Sequence, residues 1–192
     1  MGQGILLSQY PLAAAGPAVF RGTIRYQDAE HANRGASVQY CRYDGPATPP
    51  PAVDADAPGA RYWCRECSDS GASTERYSVL MIVAFQVPAA QFAEVEAWYE
   101  AEHVPLLLRA PGWYRARRYH VIHSEGGPPW THLALHELRD ARVLGSRERA
   151  YARATAWRAR LEQQQWFRDA GRFVYRRLDA VSARVSHSLT GV

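Results

Sequence analysis

Apolar positions in the second half of the chain switch between two spacings. Ser78-Val79-Leu80-Met81-Ile82-Val83-Ala84-Phe85 is a short β-branched apolar run, which predicts a buried strand. Pro88 then opens a helix, where its missing amide hydrogen costs nothing. Phe92, Val95 and Tyr99 recur at helical spacing and define its buried stripe. Pro105 disfavours helix at Val104 and predicts that the element ends there. Pro111-Gly112 predicts a turn, followed by a strand over 113–123. Gly126-Gly127-Pro128-Pro129 predicts a second turn, with Trp130 to Leu138 returning as the other arm of a hairpin. Ser146 to about Phe167 predicts one Arg/Ala/Gln-rich helix with Tyr151, Ala154, Trp157 and Leu161 near one face. Gly171 closes it and Arg172 to Leu178 form a last strand. The order is β-α-β-β-α-β, the ferredoxin-like arrangement of the α+β class.

The first half carries an eroded copy of the same pattern. Phe92, Trp98-Tyr99 and Glu102-His103 are matched by Phe20, Tyr26 and Glu30-His31, and in both copies the Glu-His pair begins ten residues after the Phe. Gly4 to Tyr10 predicts a strand, residues around Ala18 to His31 a helix, and Val38 to Tyr43 and Ala60 to Cys67 two further strands. The Pro-rich stretch 45–59 predicts a surface loop. With no second helix and no fourth strand before Tyr77, the first repeat reads as truncated. The expected organisation is a truncated repeat over 1–76, a complete unit over 77–179 and a tail over 180–192. A missing strand leaves an unpaired sheet edge, which proteins cover, so either the C-terminal tail or a second chain is expected over it, a homodimer ahead of a monomer.

Composition narrows the chemistry. At 47% hydrophobic and 22% charged, the 192 residues have the make-up of an ordinary globular protein. All 23 basic residues are Arg, which excludes Schiff-base lysines, a lysine general base and a P-loop lysine. The Arg residues are scattered and the net charge is only +4, so a nucleic-acid face is not expected. Nothing approaches a membrane span. The N-terminus lacks the basic region of a signal peptide, Leu6 breaks a myristoylation pattern, and three Cys without a leader point to a cytoplasmic protein.

Trp98-Tyr99-x2-Glu102-His103-Val104-Pro105-Leu106, then Pro111-Gly112-Trp113 and Arg117-Arg118-Tyr119, resembles the EthD-like branch of the dimeric α/β-barrel superfamily. The strand Leu133 to Leu138 fits the same pattern. The likeness covers about 77–178 well and 4–67 weakly. It implies two ferredoxin-like units packed sheet to sheet around a cavity. It also implies cofactor-free isomerase, cyclase, decarboxylase or monooxygenase chemistry on small aromatic or polyketide-like molecules, with haem in other branches. In several relatives a His at the position of His103 acts as acid/base.

His103 is accordingly the first catalytic candidate, in a last helical turn that favours imidazolium. A His capping that helix end is the structural alternative. Tyr119 or Tyr99 would polarise a substrate oxygen, and Arg118 would hold an acidic group. Glu102 would orient His103, or else pair with Arg117 or Arg118. Trp98, Trp130, His120, His132 and His31 complete the expected binding surface. His120 and His123, at odd spacing on a strand, are expected on opposite faces, with His123 and His136 pointing outward into solvent. Cys64-x2-Cys67 with Cys41 reads as small buried residues or exposed thiols, and no metal or other cofactor is expected. The expected function is acid/base catalysis on a small aromatic substrate, of cyclase, dehydratase, isomerase or decarboxylase type. A cofactor-free or haem-type monooxygenase and a non-catalytic binding barrel are the alternatives.

Overall fold

The computed structural model describes residues 3–11, 24–28, 36–44, 59–72 and 76–177, and before residue 59 it describes the side chain of Leu7 alone. Its strands are β1 (Gln3–Pro11), β2 (Ile24–Asp28), β3 (Ala36–Asp44), β4 (Ala60–Gly71), β5 (Val79–Phe85), β6 (Trp113–Glu125), β7 (His132–Leu138) and β8 (Gly171–Arg177). They close a single antiparallel barrel in the order β1-β3-β2-β8-β5-β7-β6-β4. The second half runs β8-β5-β7-β6 and the first half runs β4-β1-β3-β2, so both show the ferredoxin-like strand order. Two seams join the halves, β2 to β8 and β4 to β6.

This corrects the reading of the first half. Ile24–Asp28, expected inside a helix, is a strand paired with Ala36–Asp44 on one side and β8 on the other. It occupies the place of β6, not of the helix before it, so Tyr26 is not the counterpart of Trp98. The expected missing strand is therefore present. Closure removes the open edge, and with it the edge-based reason for a second chain. His31 and the Pro-rich stretch up to residue 58 lie outside the described residues, as does the tail from residue 178.

Between β5 and β6 runs a helical layer: a 3₁₀ turn (Ala89–Gln91), α1 (Phe92–Trp98), a π-helical turn (Tyr99–His103) and α2 (Val104–Leu107). Pro105 does not end the helix as expected. It cannot donate to the Ala101 carbonyl, and its ring would crowd it. The chain widens by one residue just before it, with the Val104 amide bonded to the Tyr99 carbonyl, and the helix continues. The expected long helix 146–167 is three short ones, α3 (Arg147–Arg153), α4 (Ala156–Leu161) and α5 (Gln165–Arg168). Thr155 causes the first break: its hydroxyl caps α4 by accepting the Arg158 amide. The break resets the helical phase, so Tyr151 is exposed and Ala152 and Arg158 are buried instead, while Leu161 is buried as expected.

Strand alternation divides the core in two. Leu7, Tyr62, Cys64, Leu80, Ile82, Tyr119, Leu135 and Tyr175 fill the barrel interior. Phe85, Val95, Trp98, Tyr99, Ala116, Leu161 and Phe167 fill the layer between the sheet and the helices. The interior also holds an ion pair, Arg117 to Glu137 at 2.8 Å, with both side chains 1% exposed. Among the described residues, no helix is long and apolar enough to cross a membrane.

Candidate functional site

A cavity of about 100 Å³ lies between the outer face of the second-half sheet and its helices, not inside the barrel. Its walls are Met81, Val83 and Phe85 of β5, Trp113 of β6, His136 of β7, and Trp98, Tyr99, His103 and Leu107 of the helical run. The π turn sets this wall. Widening the helix by one residue brings Trp98, Tyr99 and His103 together, with the His103 ring stacked on Trp98 at 4.3 Å and edge-on to Tyr99 at 5.6 Å.

The remaining wall is cationic. Arg149 and Arg153 of α3, Arg158 of α4 and Arg172 of β8 all line the cavity. Arg158 is bound to Glu162 at 2.9 and 3.1 Å and to the Arg153 carbonyl. Arg149 donates to the Leu144 carbonyl, and Arg172 to the carbonyls of Phe167 and Ala170. Among the described residues, no carboxylate forms an ion pair with Arg149, Arg153 or Arg172. Desolvation and the neighbouring guanidinium groups together pull Arg149 and Arg172 below their ordinary pKa values. Such a wall is set up for an anion.

Both cavity histidines are neutral. Burial, and then the nearby Arg158, push His103 down to about 3, against a smaller upward pull from a bond to the Ala152 backbone. Its Nδ1 has no hydrogen-bond partner. The proton therefore sits on Nε2, facing the Ala152 carbonyl, and the Nδ1 lone pair is free. Burial likewise pushes His136 to about 3, and its Nδ1 accepts from the Trp113 indole at 3.2 Å. Contrary to expectation, His136 is fully buried, and it belongs to the cavity. Burial also raises the Tyr99 phenol well above its usual range.

The other expected residues fall elsewhere. Tyr119 points into the barrel and donates to Glu66, so the sheet separates it from His103. Glu102 accepts from Thr155 at 2.7 Å, fastening the π turn to the start of α4, and pairs with neither Arg117 nor Arg118. Arg118 is held by Glu96 and Glu100 at 2.5 and 2.7 Å and is not free for a substrate acid. Trp130 precedes β7 and packs with the barrel interior.

His120 and His132 stand on the outer face beside Phe92, apart from His103, with their ring centroids 4.8 Å apart. His120 is bonded to Cys67 and Glu96, which raise its pKa to about 9. His123 shares this face with His120, against expectation. The pairing of β4 with β6 slips between Trp63 and Cys64, leaving Ile122 as an extra residue, so Trp63 faces His123 and Arg65 faces His120. The arginine wall escaped the sequence reading. Its one visible sign is Arg149-x3-Arg153, two cations one turn apart on a helix.

No family model matches the chain, and no curated protein matches its sequence. Its fold is that of solved ferredoxin-like α/β proteins. An anthrone oxidase-like protein matches with a TM-score of 0.63 at 8% identity, over 92% of this chain and 91% of that one. A Listeria monocytogenes ferredoxin-fold protein related to antibiotic biosynthesis monooxygenases matches at 0.57 and 11%, over 92% and 94%. The heme-degrading enzyme of Listeria monocytogenes matches at 0.55 and 9%, over 90% and 98%. At such identities the likeness shows the fold alone.

Proposed function

We propose that the chain is a cofactor-independent oxygenase of a small aromatic molecule bearing an acidic enol or phenol, bound as its anion in the arginine-walled cavity. The observation behind this is the set of guanidinium groups, three of them without a carboxylate, facing aromatic side chains around one cavity. Arg149, Arg153, Arg158 and Arg172 would carry the charge of the substrate oxyanion, and Trp98, Trp113 and Phe167 would hold its rings. His103 Nδ1 would accept the substrate's remaining hydroxyl proton as a hydrogen bond.

Stabilising the enolate is what oxygen chemistry needs. The enolate carbon transfers an electron to O2 and forms a C–O bond, and protonation gives the hydroperoxide. Loss of water then leaves a carbonyl, so a CH2 group and O2 become C=O and H2O. Names given to fold neighbours, oxidase-like and monooxygenase-related, agree with this choice. Cyclisation by acid/base catalysis, in line with the EthD-like resemblance, is the second reading, favoured by the free Nδ1 of His103. It ranks below because an imidazole held near a pKa of about 3 carries almost no proton at neutral pH.

Haem, which one fold neighbour's name brings to mind, does not fit the residues present. His136 has its Nδ1 committed to Trp113, and beside the free Nδ1 of His103 the cavity, about 100 Å³, is well below the ~300–1,000 Å³ typical of cofactor sites. An oxygen electrode with anthrone and other hydroxylated polycyclic ketones as substrates tests the proposal. Uptake above the uncatalysed rate, falling by about 10²–10³-fold in Arg149→Gln, is expected. Turnover without oxygen uptake supports the cyclase reading, and binding without turnover supports a carrier.

A further inference from the structure

On the outer face, away from the arginine wall, one group of side chains is arranged like a ligand set. The donor atoms of Cys67, Glu96 and His120 lie within 4.8 Å of one another. His120 Nε2 is 3.0 Å from Glu96 Oε1, and His132 Nε2 approaches the same oxygen at 3.6 Å. We propose that Cys67, Glu96, His120 and His132 form a binding site for a borderline-soft divalent cation, Zn2+ in the first instance.

Four observations support it. First, His132 Nε2 is buried and has no hydrogen-bond partner, while the residue is only 5% exposed. The Thr131 hydroxyl contacts the Phe85 carbonyl at 3.2 Å, the Val87 amide at 2.9 Å and His132 Nδ1 at 2.9 Å. When Thr131 gives its hydrogen to the Phe85 carbonyl, it can accept from Val87 and from His132 Nδ1–H, and that tautomer leaves the Nε2 lone pair facing the Glu96 carboxylate, as a shared cation requires.

Second, the spacings around Glu96 suit a tetrahedron. Nitrogen and oxygen ligands about 2.1 Å from zinc stand about 3.4 Å apart, and the two contacts to Glu96 Oε1, at 3.0 and 3.6 Å, straddle that value. Third, the surrounding bonds are those that orient metal ligands: Thr131 holds the far nitrogen of His132, and Arg118 holds the other oxygen of Glu96. Fourth, the sheet is locally reshaped at the cysteine. Pairing of β4 with β6 slips between Glu66 and Ser68, making Cys67 the extra residue. Cys67 and Ser68 then both serve α1 and the turn after it, Cys67 beside Glu96 and Ser68 bonded to Glu100. Cys64, by contrast, points into the barrel, so Cys64-x2-Cys67 is not itself the chelate.

A cation held there would clip a first-half strand to the second-half helix α1 and to β6 and β7. The test needs no turnover and so stands apart from the oxygenase proposal. The chelator-treated full chain is titrated with Zn2+, and with Co2+ as the spectroscopic probe. One ion per chain is expected, with a thiolate-to-cobalt charge-transfer band. Cys67→Ser should abolish the band and weaken Zn2+ binding at least about 10²-fold, as should His132→Gln, whereas His123→Gln should change neither. Zn2+ should also protect Cys67 of the unaltered chain from alkylation, a measurement independent of how the variants fold. Co2+ bound without the thiolate band, one ion per two chains, or Cys67 alkylated equally fast with and without Zn2+ would overturn the proposal.

Discussion

Two neutral imidazoles enclosed beside a cationic wall make stability steeply sensitive to mild acid. His103 and His136 both sit near a pKa of about 3 in the folded chain, against 6.5 for a free imidazole. The groups around them are Arg149, Arg153 and Arg158 from α3 and α4, Tyr99 from the π turn and Trp113 from β6, none of which offers a compensating negative charge at neutral pH. Because the folded pKa is the lower one, the unfolded chain binds more protons as pH falls below about 6.5, and stability is lost in that direction. Each group contributes about 1.4 kcal/mol per pH unit, so the pair contributes about 2.7 kcal/mol per unit once the unfolded imidazoles are protonated. Against a typical total of about 5–15 kcal/mol, one or two units of acid are decisive. Urea unfolding at steps between about pH 6 and pH 5, where most carboxylates stay ionised, measures the slope. His103→Gln keeps a donor toward Ala152, and His136→Asn keeps an acceptor for Trp113. Each replacement should remove close to one proton from the slope, and the double variant close to two, whatever other groups contribute. A double variant with the original slope would refute the burial of two uncharged histidines beside the arginines.

Three further outcomes are expected. Glu137→Gln removes the buried carboxylate that Arg117 pairs with at 2.8 Å inside the barrel and should cost up to about 3–5 kcal/mol in urea unfolding, while replacing both residues with apolar ones should recover most of it. Thr155→Ala removes the cap of α4 and the bond to Glu102, so a loss of about 1–2 kcal/mol is expected, with turnover falling as the π turn loosens. Gly127→Ala should destabilise by about 1–3 kcal/mol by the same assay, because Gly127 has a φ of 75° and a Cβ there would meet Ala60 and the Tyr62 hydroxyl at 2.6 and 2.7 Å.

Periodicity reached the second half well because its strands are bounded by strong turn signals, Pro111-Gly112 and Gly126-Gly127 among them. It failed where one residue resets a phase. Thr155 broke a continuous helical stripe, Ile122 moved His123 to the face of His120, and the π turn carried the helix past Pro105. The Phe-to-Glu-His spacing misled for a different reason: Ile24–Asp28 is held as strand by neighbours on both sides, and tertiary pairing outweighs so short a local pattern. Of the expected site, His103, Tyr99 and Trp98 do come together. Tyr119 does not, since which face of β6 meets the helices depends on partners far away in the chain. The arginine wall draws on three separate elements and the Cys67 group on four, and beyond Arg149-x3-Arg153 no common spacing betrays them.

Closing the barrel with one chain also frees it from symmetry. Where two identical chains build such a barrel, every substitution occurs twice, and a change that improves one chamber must be tolerated at the seam and in the other. Here the β2–β8 and β4–β6 seams are built from different residues, so each can be adjusted alone. One seam joins strands of five and seven residues and the other strands of twelve and thirteen, an inequality between seams that two copies of one chain could not make. The second half, which supplies every described residue lining the cavity, can therefore change without a matching change in the first.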